Sequence, residues 1–104
     1  MNETEQTVDT EQALAFAQKK KEVAEALKRL RATEDWKLII EKGYFEDWAL
    51  TQIRNVGGYN QDQRRGYLEQ SIARGILDDY LYAIEEEGKM ASDVIPQLKE
   101  ELGA

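Results

Sequence analysis

Few residues of this 104-residue chain can carry out acid–base or nucleophilic chemistry. Histidine and cysteine are both absent, and the two serines are Ser71 and Ser92. These absences exclude a Ser-His-Asp triad, thiolate catalysis and Cys/His zinc sites within this sequence. Carboxylates, lysines and tyrosines remain as the groups that can transfer protons.

The densest carboxylate clusters are Asp78-Asp79 and Glu85-Glu86-Glu87. Neighbouring residues on a helix point about 100° apart, so neither cluster converges on one site. A di-iron bundle needs Glu-x-x-His pairs, which this chain lacks, and no calcium loop of the DxDxDG type occurs. We therefore predict that the protein is not an enzyme, binds no metal and uses no cofactor.

Basic residues form two small groups. Lys19-Lys20-Lys21 has Glu22 and Glu25 at helical pairing distance, which favours a solvated helix face over a binding motif. Arg64 and Arg65 fall at the expected start of a helix, where positive charge opposes the helix dipole. Residues kept against such a preference can mark function, so both are candidate protein-interaction residues, with a solvated surface as the alternative.

Composition and charge bound the class of protein. Hydrophobic residues make up 41% of the chain, and the net charge of −7 argues against nucleic acid as a partner. No apolar run approaches the ~20 residues of a membrane span, and the N-terminus is acidic rather than basic like a signal peptide. We expect no membrane contact, an intracellular protein, a disordered tail over 1–9 and one helical domain over 10–104.

The first helix is predicted to begin near Thr10, because Asp9 and Gln12 match a capping box. Its apolar positions form one narrow stripe, which suits pairing with another helix: Phe16, Val23, Leu27 and Leu30. We predict self-association, most simply a dimer with this helix packed across the subunit boundary. The alternative is a first helix folded back on its own bundle.

Two short helices are predicted on either side of Gly43. Thr33 precedes two acidic residues, as is typical of a helix N-cap, and Gly43 follows Lys42 where a left-handed C-cap is common. The second of these helices is predicted over 44–56, with Gly57-Gly58 ending it.

A long helix is predicted over about 61–87, because Asn60 and Gln63 form another capping-box pattern. Gly66 and Gly75 lie inside it and are interpreted as points of close helix approach. Gly88 is interpreted as a stop or a bend, with a last helix capped by Ser92-Asp93. The predicted fold is all-α, a small bundle of four to five helices around the long one. Its predicted core contains Trp36, Ile40, Trp48, Ile53, Leu68, Ile72, Ile76 and Tyr80.

One stretch carries a family resemblance: Asp35-Trp36-Lys37-Leu38-Ile39-Ile40-Glu41-Lys42-Gly43-Tyr44-Phe45-Glu46-Asp47-Trp48-Ala49. It resembles a segment of small acidic α-helical proteins encoded in the structural gene clusters of tailed bacteriophages. The likeness in plan extends over about residues 26–92. It implies a phage origin and a role in particle structure or assembly, and it supplies no catalytic residues.

The resemblance leads to the expected function. We expect a non-enzymatic phage protein that acts through helix-mediated protein–protein contacts as a virion structural or assembly (morphogenesis) component. The alternative is a small acidic phage regulator that binds and inhibits a host protein, and a weaker third reading is a DNA-binding accessory. The expected location is the host cell cytoplasm, with incorporation into the virion as a further expectation.

Overall fold

The structure is a computed structural model that describes residues 3–103. The described part of the chain is almost entirely helical and contains no strand, which confirms the predicted all-α class. It forms three helices rather than four to five. We call them the first helix (Glu3–Arg31), the middle helix (residues 34–58) and the long helix (Gln61–Gly103).

The first helix begins earlier than predicted. It is already formed at Glu3, so residues 3–9 are helical, while residues 1 and 2 of the expected tail lie outside the described residues. The Thr10 hydroxyl donates to the carbonyl of Gln6 at 2.8 Å, a bond to the preceding turn of the helix. The capping box predicted at Asp9 and Gln12 is therefore wrong, because these residues lie inside the helix.

The start of the middle helix is as predicted. Thr33 has an extended backbone, with φ −78° and ψ 145°, and its side chain accepts a hydrogen bond from the Trp36 backbone N–H at 3.2 Å. Glu34 and Asp35 occupy the first turn, where acidic side chains complement the positive end of the helix dipole. The signal is local, so the sequence alone was enough to place this boundary.

The middle helix continues through Gly43, where a left-handed turn was predicted. That prediction is wrong, since no residue between 3 and 103 has a positive φ. A π-helix occupies Lys37–Trp48, and shorter α-helical and 3₁₀ turns flank it. A Cβ at Gly43 would lie 3.0 Å from the Leu38 carbonyl oxygen, five residues earlier, which is the hydrogen-bonding step of a π-helix. Glycine thus fits this wide turn without ending the helix.

The boundary between the middle and long helices is also as predicted. The middle helix ends in a 3₁₀ turn at Val56–Gly58. The backbone N–H of Asn60 donates to the Gln63 side chain, and the N–H of Gln63 donates to the Asn60 side chain, both at 2.9 Å. This reciprocal capping box satisfies two backbone donors at the start of the long helix.

The long helix runs on to Gly103, so the predicted stop at Gly88 and the separate last helix are wrong. Gly88 is buried, and a Cβ built on it would lie 2.2 Å from the Ala24 Cβ. This glycine serves close packing between helices and does not end one. Ser92-Asp93 lies within the helix, as does Pro96, which is exposed.

The chain divides into two compact units. The terminal unit pairs the first helix up to Lys28 with the long helix from Tyr82 onward. Its buried centre is a small apolar cluster, with Leu14 and Leu98 packed against it: Ala17, Ala91 and Ile95. A salt bridge of 2.8 Å between Lys20 Nζ and Glu87 Oε2 also links the two helices. The first helix thus packs within its own chain.

The central unit comprises Arg29–Leu81. Gln52 and Leu81 are its buried residues, and all of its residues are described. None of the eight predicted core residues is buried: Trp36 and Ile40 are half-buried and the other six are exposed. The predicted core is wrong because two packed helices leave their outer faces open, and no further element of this unit covers them.

Candidate protein-interaction surface

Four large apolar residues form a row along the part of the long helix that belongs to the central unit. They are spaced four residues apart and are 55–63% exposed: Leu68, Ile72, Ile76 and Tyr80. Side chains four residues apart are neighbours on a helix surface, so the row is a continuous ridge. We call it the apolar ridge.

The contact between the middle and long helices is polar where an apolar core was predicted. The buried Gln52 donates through Nε2 to Gln70 Oε1 and accepts at Oε1 from Arg74 Nη2. The Arg74 guanidinium also lies over the Tyr44 ring, 5.5 Å from its centroid. Both ends of the Gln52 amide are therefore satisfied, and the two helices are held in a defined register by side-chain hydrogen bonds.

This polar contact leaves one donor unmatched. Arg74 Nε is buried and has no hydrogen-bond partner among the described residues. A buried polar group without a partner reduces stability, and a polar layer stabilises less than apolar packing of similar volume. The polar contact therefore stabilises the pairing of the two helices less than an apolar core of similar volume would.

A cleft of about 530 Å³ opens between the same two helices. Most of the eight residues that line it are apolar or aromatic: Ile39, Ile40, Gly43, Tyr44, Trp48, Gln70, Ala73 and Arg74. The π-helix forms one wall, and the Tyr44 and Phe45 rings meet edge to face there at 5.2 Å. Ala73 lies three residues before Ile76 and is its neighbour on the helix surface, so the cleft borders the apolar ridge. The cleft can accept an apolar side chain from a partner.

The six predicted interaction residues differ in exposure and are divided between the two units. Phe16 is 66% exposed and Leu30 is exposed, whereas Leu27 is buried and Val23 half-buried within the chain. Arg64 and Arg65 are exposed at the start of the long helix. They belong to the central unit with Leu30, and the other three belong to the terminal unit.

Sequence reasoning found the residues of the apolar ridge but assigned them to the interior. The repeat of large apolar residues at every fourth position was a clear signal, and it correctly marked an apolar face of the long helix. It carried no information on whether the same chain or another molecule covers that surface. The cleft gave no sequence signal, because it depends on a π-helix that no local pattern predicted.

Charged side chains elsewhere form ordinary surface pairs. Lys19 pairs with Glu22 at 3.7 Å and Lys21 with Glu25 at 4.0 Å, which agrees with the solvated face predicted for these two lysines. Lys20, between them, pairs instead with Glu87 of the long helix. A hydrogen bond to the Glu86 carboxylate raises the pKa of the exposed Lys89. Within residues 3–103, no group of three or more acidic residues is arranged to hold a metal ion.

Comparison of the chain with protein-family models, curated proteins and solved structures gives no match. None of the helices in the described part of the chain has an apolar stretch long enough to span a bilayer.

Proposed function

We propose that this protein acts without catalysis, through helix-mediated contacts with other protein molecules. The observation that carries the proposal is the apolar ridge, four large residues more than half exposed on one long helix. Soluble monomers seldom expose a large contiguous apolar patch to solvent. Where such a patch is exposed, it usually marks an interaction site. The adjoining cleft offers a place for a partner's apolar side chain.

The more specific form of the proposal is a structural or assembly component of a tailed-phage particle. The resemblance of residues 35–49 to small phage proteins supports it, and repeated helix contacts suit particle assembly. Such a protein would work in the host cell cytoplasm and could be incorporated into the virion. In the alternative, a regulator that binds a host protein, the acidic residues outside the central unit would form the binding surface.

Site-specific photo-crosslinking tests the proposal. Ile72 is replaced by benzoylphenylalanine in the full chain, and cells that naturally produce the protein are irradiated. We expect a covalent adduct to a protein at this position, because the side chain lies in the apolar ridge. The control carries the same photoreactive residue at Gln12, an exposed position on the first helix.

An adduct at position 72 that is absent at position 12 supports the proposal. A particle protein in the adduct supports assembly, and a host enzyme or transcription factor supports the regulator. Equal labelling at both positions, or none at either, overturns the proposed use of this surface.

We also predict that the protein does not bind DNA appreciably at physiological salt. The net charge of −7 repels phosphates, and a non-specific DNA-binding protein typically reaches a Kd of about 10⁻⁴–10⁻⁶ M. Fluorescence anisotropy of a labelled duplex should stay flat up to about 10 μM protein, near the middle of that range. Micromolar binding that weakens steeply as salt is added would contradict the prediction.

A further inference from the structure

The central unit leaves many large apolar residues exposed and buries only Leu81 among them. Its buried residues are Gln52 and Leu81, one of them polar, as the complete description of residues 29–81 shows. The ridge residues stand outside this interior. The unit therefore resembles half of a helical bundle: one apolar face is uncovered, and a second apolar surface would have to pack against it to bury it.

We propose that a second copy of this chain covers the apolar ridge, forming a two-fold dimer in which ridge packs against ridge. This inference rests on the proposed function and names the partner for it. It places the dimer contact on the long helix within the central unit, instead of on the first helix, where the sequence had suggested it.

Charge favours a second copy over a strongly charged partner. The central unit carries nine acidic and eight basic residues, a net charge of −1, while the remainder of the chain carries twelve acidic and six basic residues. Two nearly neutral surfaces repel each other weakly, so self-association through this unit meets little electrostatic cost. A strongly basic or acidic partner would find no complementary net charge here.

The spacing of the ridge also suits a self-complementary contact. Residues at every fourth position form a row inclined to the helix axis, and two helices whose rows run parallel at the contact cross at about −50°. A two-fold axis midway between Ile72 and Ile76 places Ile72 against Ile76 of the second copy. The same axis places Leu68 against Tyr80 of the second copy, so each ridge residue gains an apolar neighbour.

The available area is sufficient for a stable dimer. If each ridge side chain presents on the order of 100 Å², about half of what a large aromatic buries, the two copies contribute about 800 Å² of apolar surface. At the usual apolar share of about 57%, that corresponds to an interface of about 1,400 Å². Stable interfaces bury about 1,200–2,000 Å².

Analytical ultracentrifugation of the full-length protein tests the inference. We expect the mass to approach twice 12.0 kDa as the concentration rises from about 1 to about 100 μM, a range that brackets moderate affinities. Ile76→Glu places two charges in the interface and should raise the dimer dissociation constant at least about 100-fold. Met90→Glu is the matched control, because Met90 is an exposed apolar residue of the same helix.

Phe16→Glu tests the competing interface on the first helix. A dimer that dissociates with Ile76→Glu and persists with Met90→Glu and Phe16→Glu supports the ridge. A monomer at about 100 μM, or a dimer that survives Ile76→Glu, overturns the inference. A dimer lost with Phe16→Glu alone also overturns it.

Disulfide crosslinking tests the same contact without relying on the Ile76→Glu variant to fold. The chain contains no cysteine, so the double variant Ile72→Cys, Ile76→Cys introduces the only thiols. Mild oxidation should produce a covalent dimer from this variant and little from Phe16→Cys at equal concentration. A monomeric product from the ridge variant overturns the inference. A monomer here combined with a photo-adduct to a different protein overturns the dimer and leaves the proposed function standing.

Discussion

Gly88→Ala should lower the free energy of unfolding by about 1–3 kcal/mol, because a Cβ at this position collides with the first helix. The added carbon would lie 2.2 Å from the Ala24 Cβ. That atom is fixed to the backbone, so the two helices must move apart and loosen the Lys20–Glu87 salt bridge. Urea unfolding at a fixed protein concentration, followed by circular dichroism, measures the loss.

Gly75→Ala is the matched control for this experiment. Gly75 lies in the same helix, and nothing stands within 4 Å of a Cβ added there. Because the added Cβ meets no neighbouring atom, replacing this interior helical glycine by alanine should stabilise the protein by about 0.4–1 kcal/mol. Equal effects of the two substitutions would contradict the packing of Gly88 against Ala24.

The double variant Ala24→Gly, Gly88→Ala provides a rescue. Removing the Ala24 Cβ leaves the carbon added at position 88 at 3.7 Å from the Ala24 Cα, an ordinary contact distance. The double variant should therefore be more stable than Gly88→Ala alone, although glycine in a helix costs about 1 kcal/mol. A double variant no more stable than Gly88→Ala would show that contact with the Ala24 Cβ is not the cause of the lost stability.

The interior glycines show why a sequence cannot identify close helix approach. Gly66 and Gly75 were interpreted as points of contact, yet a Cβ at either would meet nothing within 4 Å. Gly88 was interpreted as a helix end and is the glycine that contacts a neighbour. The difference depends on which residue of another helix lies opposite, and that residue is 64 positions away in the chain.

Two helix starts were predicted correctly from signals that lie within one turn of the chain, although the same kind of signal at Asp9 and Gln12 was misleading. Thr33 and the Asn60–Gln63 pair cap their helices as the sequence predicted, because the groups that bond are three residues apart. Gly43 has an equally clear local signal, and that signal was misleading. A glycine is compatible with a left-handed cap and with the interior of a π-helix, and neighbouring turns decide between them.

The residues of the apolar ridge could be predicted from the sequence, but their exposure to solvent could not. The spacing of Leu68, Ile72, Ile76 and Tyr80 correctly predicted an apolar face on the long helix. Pairing of the helices was decided elsewhere, by Gln52 and Arg74 on another face of the contact. The apolar face consequently remained outside, so a pattern typical of a core became the best candidate for an interface.

Ile95→Ala and Ile76→Ala compare the core that the structure shows with the core that the sequence predicted. Ile95 is 6% exposed beside Ala17 and Ala91, whereas Ile76 is 63% exposed in the apolar ridge. Truncating a buried isoleucine leaves a cavity and costs about 2–5 kcal/mol, so Ile95→Ala should unfold at much lower urea concentration. Truncating the exposed Ile76 should change the stability of the monomer by no more than about 0.5 kcal/mol.

The comparison is made near 1 μM protein, a concentration low enough to weaken dimer formation through the ridge. The same substitution on the same helix keeps the difference in helix propensity equal, so burial is what separates the two variants. Repeating the Ile76→Ala measurement near 100 μM should reveal an added loss of stability if the ridge is a dimer contact, because the parent then gains stability from association. If Ile76→Ala lowered the free energy of unfolding more than Ile95→Ala at the lower concentration, Ile76 would belong to the core, as the sequence predicted.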